Sequence, residues 1–218
     1  MNRSTRTALV LAAISLAACT GSLFRSKAAP PTVYLLSAGM GSAASGAPAA
    51  GMPAAAIPAD MTVLKPRVRP GLESDRIAVL YPDRHLDYFA GARWSGPLAE
   101  VLQDLAVQEF RTHANLRSVS GDASVFASAY WLEIEVMDFQ AEYASAAAAP
   151  TVRVHFLARL GGSGDRRILG QFEANAQQPA VENRLSAIVD AYAHAADAAL
   201  GDIVAHADET LAKVSEAR

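Results

Sequence analysis

No disulfide framework is open to this chain: its 218 residues contain one cysteine, Cys19, so the fold rests on packing without covalent staples. The sequence also lacks CxxC, HExxH and GxSxG, and none of its five histidines pairs at the local spacing of a zinc site. A surplus of positive charge is missing as well. Lys and Arg number 19 against 22 Asp and Glu, a formal net charge of −3. That balance argues against nucleic acid and against electrostatic adhesion to anionic lipid. Aromatic residues make up only 7%, and much of the 51% hydrophobic content is alanine in low-complexity stretches, which overstates the core. Past the first twenty residues no apolar run approaches the ~20 residues of a membrane helix.

What is present begins at the N-terminus. Arg3 and Arg6 precede an apolar run from Ala8 to Ala18, too short to span a bilayer, which ends in small residues before a cut site. This is the pattern of a bacterial secretory signal. Leu16-Ala17-Ala18-Cys19 makes it the lipoprotein version, with residues 1–18 as the leader. Cleavage before Cys19 leaves a sulfur for a thioether-linked diacylglycerol and an amine for an N-acyl chain. The bland alternative is a buried cysteine in an alanine-rich helix. Two or three acyl chains, at about 0.8 kcal/mol per buried methylene, exceed the marginal hold of one. Thr20 leans toward the outer membrane and its periplasmic face, where an aspartate would favour the inner membrane. Loss of Arg3 and Arg6 leaves 17 basic against 22 acidic residues, a mature charge of −5.

Residues 19–32, ending in Pro30-Pro31, read as a lipidated tether of roughly 40–45 Å at full extension. Residues 33–218 form the domain. Val33–Leu36 is a short strand, and the Ala/Gly/Pro stretch 38–60, without charge up to Ala59, reads as a mobile loop. Strands follow at Thr62–Val68, Arg76–Tyr81 and Leu86–Phe89, with Pro66 marking an edge or a bulge. Ser95 is placed to cap an amphipathic helix from Leu98 to His113, with Pro97 in its first turn. Leu132, Ile134 and Val136 alternate with Glu133, Glu135 and Met137. Val152–Leu160 and Arg167–Ala176 continue the period of two, giving an antiparallel meander. Glu133 and Glu135 are expected to face Arg153 and Arg159 on its solvated side. A long helix from Val181 to Val214 closes the chain. The expected class is α/β (α+β): a mainly antiparallel sheet with an amphipathic helix after the first strands and a long C-terminal helix packed on it.

Nothing in the residues supports an enzyme, a metal or a cofactor beyond the acyl groups on Cys19. Asp190/His194 and Asp202/His206 are i,i+4 pairs that read as solvent-facing helix contacts. Gly161-Gly162-Ser163-Gly164 is followed by a strand, so it reads as a hairpin turn and not as a phosphate loop. Tyr81–Trp94 gathers Tyr81, His85, Tyr88, Phe89, Arg93 and Trp94 in fourteen positions. It is either core packing between sheet and helix or a partner-binding surface centred on Tyr88, Arg93 and Trp94.

The order of parts resembles the ABC-type transport auxiliary lipoproteins, which include the PqiC-like intermembrane transport lipoproteins. The likeness is carried by the Cys19 lipobox, Tyr34-Leu35-Leu36, Leu72-Glu73-Ser74-Asp75-Arg76-Ile77-Ala78-Val79, Leu86-Asp87-Tyr88-Phe89-Ala90-Gly91-Ala92-Arg93-Trp94 and Leu132-Glu133-Ile134-Glu135-Val136. The resemblance implies an α/β fold and a periplasmic lipoprotein working with an MCE-domain protein and an ABC transporter permease and ATPase, or a related membrane complex. Such systems move phospholipids or other hydrophobic molecules between the two membranes. Competing readings are a lipid-binding carrier with an acyl-chain cavity on the Leu132/Val154/Phe172 face, and a lipoprotein regulating a cell-wall synthase. A homo-oligomer is compatible with all three.

Intact-mass spectrometry is expected to find Cys19 as the first residue with diacylglycerol and acyl mass added, and Cys19→Ala to abolish that mass. A free thiol on a chain retaining its leader would remove the membrane address.

Overall fold

The structure, a computed structural model, describes residues 30–37, 39, 57–122, 127–145 and 147–216. The leader, Cys19 and nearly all of the tether lie outside the described residues, as does most of the 38–60 stretch. Among the described residues, nine strands form one sheet, with two helices.

The spine is β7 (Tyr130–Glu142). Along one edge it pairs antiparallel with β8 (Thr151–Gly162) over its whole length, and β9 (Ile168–Pro179) completes the expected meander. Along the other edge three short strands dock in series, all parallel to β7: β2 (Ile57–Val63), β3 (Arg67–Val68) and β4 (Arg76–Leu80). The hydrogen bonds from Leu64 N to Leu132 O and from Arg69 N to Val136 O carry this pairing across the breaks. β4 forms a hairpin with β5 (Leu86–Trp94), and β1 (Thr32–Tyr34) lies parallel to β5, with Tyr34 opposite Trp94. α1 (Leu98–His113) then leads to β6 (Leu116–Gly121), which pairs parallel with β2.

The sheet is therefore mixed, not mainly antiparallel. Hairpins show themselves in local sequence because a short turn reverses the chain. Parallel pairing needs a long return connection, here the one through α1, and its partners lie dozens of residues apart. Three further expectations shift. The 38–60 loop gives way to strand at Ile57, so 57–60 belong to β2. Ala92–Trp94 are strand, and α1 starts behind Pro97 without a side-chain cap from Ser95; Leu98 N donates instead to Ser74 O at 3.2 Å. The C-terminal helix, α2, runs Leu185–Glu216.

A bulge in β7 decides which side chains enter the core. Val136 faces Phe156 and Asp138 faces His155, leaving Met137 as the extra residue. Before it Leu132, Ile134 and Val136 point inward; after it Phe139 and Ala141 do. Without the inserted residue the period of two would bury Asp138 and expose Phe139. The bulge also redirects the polar row. Arg159 meets Glu133 at 3.2 Å as expected, but Arg153 reaches Asp138 at 3.0 Å, and Glu135 pairs with Arg67 at 3.5 Å.

α1 and α2 cover the inward face. Alanines 187, 191, 195, 196, 199 and 207 let α2 approach the strands closely, while Ile188, Tyr192, Leu200, Ile203 and Leu211 fill the gaps. At the centre, the Trp94 and Tyr192 rings meet edge-on at 5.2 Å, and Phe139 lies 5.0 Å from Tyr192. Tyr192 Oη donates to Ala78 O at 2.6 Å, tying α2 to β4; burial pushes that phenol far above its ordinary range. Where α1 meets α2, burial also raises the Glu109 carboxyl, assisted by Asp197 and opposed by His113 at 3.6 Å. Leu132 and Val154, which a lipid-carrier cavity would need, are fully buried in this packed core.

Trp94→Ala is expected to cost about 3–5 kcal/mol, and Tyr192→Phe about 1–2 kcal/mol through the orphaned Ala78 carbonyl. Chemical denaturation of the two variants checks both.

Candidate functional site

The aromatic stretch 81–94 divides three ways in space. Trp94 is 1% exposed and belongs to the core, so it offers no surface to a partner. β5 alternates, which places Arg93 on the opposite side; its guanidinium reaches Asp75 at 3.5 Å and stays about half exposed. Tyr88 is held flat on the flank: Arg76 lies 3.8 Å above its ring, and its hydroxyl donates to Gly71 O at 2.6 Å.

The hairpin tip makes the third group. Tyr81 stacks on His85 at 4.7 Å and on Tyr143 at 5.6 Å. Tyr143 comes from just past the end of β7, some sixty residues downstream, so no local pattern could have joined it to the stretch. Its hydroxyl donates to Asn183 Oδ1 at 2.6 Å, and burial raises its pKa. His85 hydrogen-bonds the Asp83 carboxylate at 2.9 Å and holds that acid below its usual range.

Between the tip and the bulge lies an apolar concavity of about 270 Å³, lined by Leu72, Leu80, Leu86 and Met137 with Arg69 and Asp138 among its polar residues. Leu86 is 39% exposed at its mouth. The extra residue of β7 thus lines this concavity. Gly71 shapes the rim: its φ is +93°, and a Cβ there would lie 3.0 Å from Leu86 Cδ2. Arg69 Nη1 donates to Met137 O at 2.9 Å, fixing the bulge from outside.

The face of the sheet away from the helices carries a charge ladder. Arg67 bridges Glu133 and Glu135, while Asp138 draws Arg69, Arg153 and His155. At its far end a wider groove of about 660 Å³ is lined by Leu64, Trp131, Glu133 and Arg166, among others. Trp131 rests on Gly161, where any Cβ would collide with the ring at 2.1 Å, and its Nε1 donates to Gly162 O at 3.3 Å. Gly161 and Gly162 end β8, and Ser163-Gly164-Asp165 make the turn, as the sequence implied. On α2, the Nδ1 atoms of His194 and His206 donate to the backbone oxygens of Asp190 and Asp202, both at 2.7 Å. The paired aspartate side chains do not take part in those bonds.

A family model described as ABC-type transport auxiliary lipoprotein component matches residues 36–204. No curated protein matches the chain. Among solved structures it is similar to protein XCC0632 of family DUF330 from Xanthomonas campestris, at 22% identity and TM-score 0.67, covering 86% of this chain and 97% of that one. A second similar structure, an uncharacterised protein, is 13% identical with TM-score 0.62, covering 82% and 99%. A PelC dodecamer subunit from Paraburkholderia phytofirmans is 10% identical with TM-score 0.42, covering 67% and 86%. The two likenesses above 0.6 establish a shared fold.

Gly71→Ala is expected to destabilise the domain by about 1–2 kcal/mol through its left-handed backbone. A shift in the urea midpoint at unchanged slope checks it.

Proposed function

Because the chain belongs to the ABC-type transport auxiliary lipoprotein family, we propose that it is a non-catalytic docking subunit, acylated on Cys19 and held on the periplasmic face of the outer membrane. Its partners in this reading are an MCE-domain protein and the permease and ATPase of an ABC system. The cargo class is phospholipids or other hydrophobic molecules moving between the two membranes. The observation that carries the reading is the family match, which runs from Leu36 to within α2 and so takes in nearly the whole described fold.

The physical argument is one of division of labour. An apolar cargo crossing an aqueous gap needs a continuous shielded path, and an anchored rigid domain can hold the end of such a path in place. The exposed Leu86 at its concavity, edged by Arg69 and Asp138 and followed along β5 by Tyr88 and Arg93, combines apolar and polar groups as protein interfaces do. No described helix is long and apolar enough to cross a membrane. The tight packing of Leu132 and Val154 beneath α2 favours docking over carriage of an acyl chain within the domain. The ladder of paired charges on the open face suits a solvated surface, since each exposed pair is worth only ~0.2–1 kcal/mol.

Photo-crosslinking from Leu86 in intact cells, read by mass spectrometry, is expected to capture an MCE-domain protein. Tyr88→Ala and Arg93→Ala should each lower that yield several-fold without changing the unfolding midpoint by more than the loss of a surface contact. Capture of a cell-wall synthase in its place, or yields unaffected by both substitutions, would overturn the reading.

A further inference from the structure

We propose that β9 is a self-association edge, at which a second copy of this chain pairs antiparallel about Ala174. Besides the two-residue β3, three strands in the described sheet have an outer edge: β1, β6 and β9. The first two are guarded. β1 is three residues long and follows Pro30-Pro31. β6 is six residues long, and Arg111 Nε of α1 donates to its Val119 O at 2.8 Å. Its flank also carries a locked ionic cluster: Arg117 forks onto Asp60, which accepts from Ser118 at 2.7 Å and is held at a pKa of about 2. These are the devices that keep sheet edges from pairing with other chains.

β9 has none of them. It runs twelve residues, regular from Gly170 onward, with no Lys or Arg and its one proline at the last position. Its single ionised side chain, Glu173, sits 3.1 Å from His155 Nε2. A long edge left this way exposes a row of unmatched backbone donors and acceptors, and its natural complement is another strand.

The identity of that strand is written in the sequence of the edge. Gly170-Gln171-Phe172-Glu173-Ala174-Asn175-Ala176-Gln177-Gln178 is a near-palindrome in chemical character about Ala174. In a two-fold antiparallel pair, Gln171 faces the copy's Gln177, and Glu173 faces the copy's Asn175. The amide–carboxylate match already occurs within one chain, where Asn175 Nδ2 donates to Glu173 Oε1 at 3.1 Å. On the helix side Phe172, packed against His206 at 5.6 Å, faces the copy's Ala176, so large meets small. Shifting the axis by one residue to Glu173 would set two carboxylates opposite each other, which is unfavourable. A foreign strand would have no need of this symmetry. An isologous two-fold contact requires it. The inference is independent of the transport reading, since it concerns the edge and not the Leu86 flank.

The test is sedimentation of the mature acylated protein in detergent, with the double variant Gln171→Lys/Gln177→Lys. Both positions are exposed; the lysines stand opposite Arg159 and Arg153 of β8, a like-charge cost that monomer and dimer carry alike, while only the paired copies gain two further like-charge contacts. Wild type is expected to sediment as a dimer, and the variant to associate at least tenfold more weakly at unchanged circular dichroism. In cells co-expressing two differently tagged chains, one Glu173→Cys and the other Asn175→Cys, the mixed disulfide should form at least tenfold faster than either like pair. A monomeric wild type, association indifferent to the two lysines, or cross-linking no faster than from Ser118→Cys on the β6 edge would each overturn the proposal.

Discussion

The fold depends on one strand being hydrogen-bonded along both of its edges. β7 has β8 on one side for its full length, and on the other it gathers β2, β3 and β4, none of which exceeds seven residues. Short strands of that kind have little independent stability. Their alignment along a common partner is what turns segments separated by breaks at Pro66 and at the Gly71 turn into a single surface for α1 and α2. The bulge at Met137 then keeps that surface continuous by exchanging which parity of residue points inward. Tyr192 closes the arrangement from above, since its hydroxyl donates to Ala78 O of β4, a strand that β7 alone connects to the meander.

The meander, α1 to the residue, and the solvent-facing character of the α2 histidines were all legible, because each follows from a period or a turn contained in a few consecutive residues. The parallel half was not. Nothing local in Thr62 or Val79 announces a partner at Trp131 or Ala141, and β6, with its mixture of Arg, Ser and Gly, carries no alternation to find. The aromatic stretch shows the same limit from another side. Its composition marked it correctly as unusual, yet composition cannot say that Trp94 turns inward while Arg93 turns out, or that Tyr81 meets a tyrosine from beyond β7. The bulge could have been suspected from Asp138 interrupting the inward row, where a polar residue falls on an apolar beat.

The described cores and grooves divide labour between the two sides of one sheet: the side under α1 and α2 is closed and dry, and the other is ionic and hydrated. Apolar character reaches the surface chiefly at isolated places, such as Leu86 and the edge residue Ile168. A domain built so has a closely packed core on the helix side and its ion pairs on the other.

The two tryptophans of the chain lie on opposite sides of that sheet. Trp94 is sealed beside Tyr192, and Trp131 rests on a glycine at the lip of an open groove. Intrinsic fluorescence therefore carries two separable signals. Emission from the sealed indole reports global unfolding, and the accessible one, open to quenchers such as iodide, reports whatever settles on the hydrated side. Occupancy of the groove and loss of structure can thus be distinguished in one cuvette without a label.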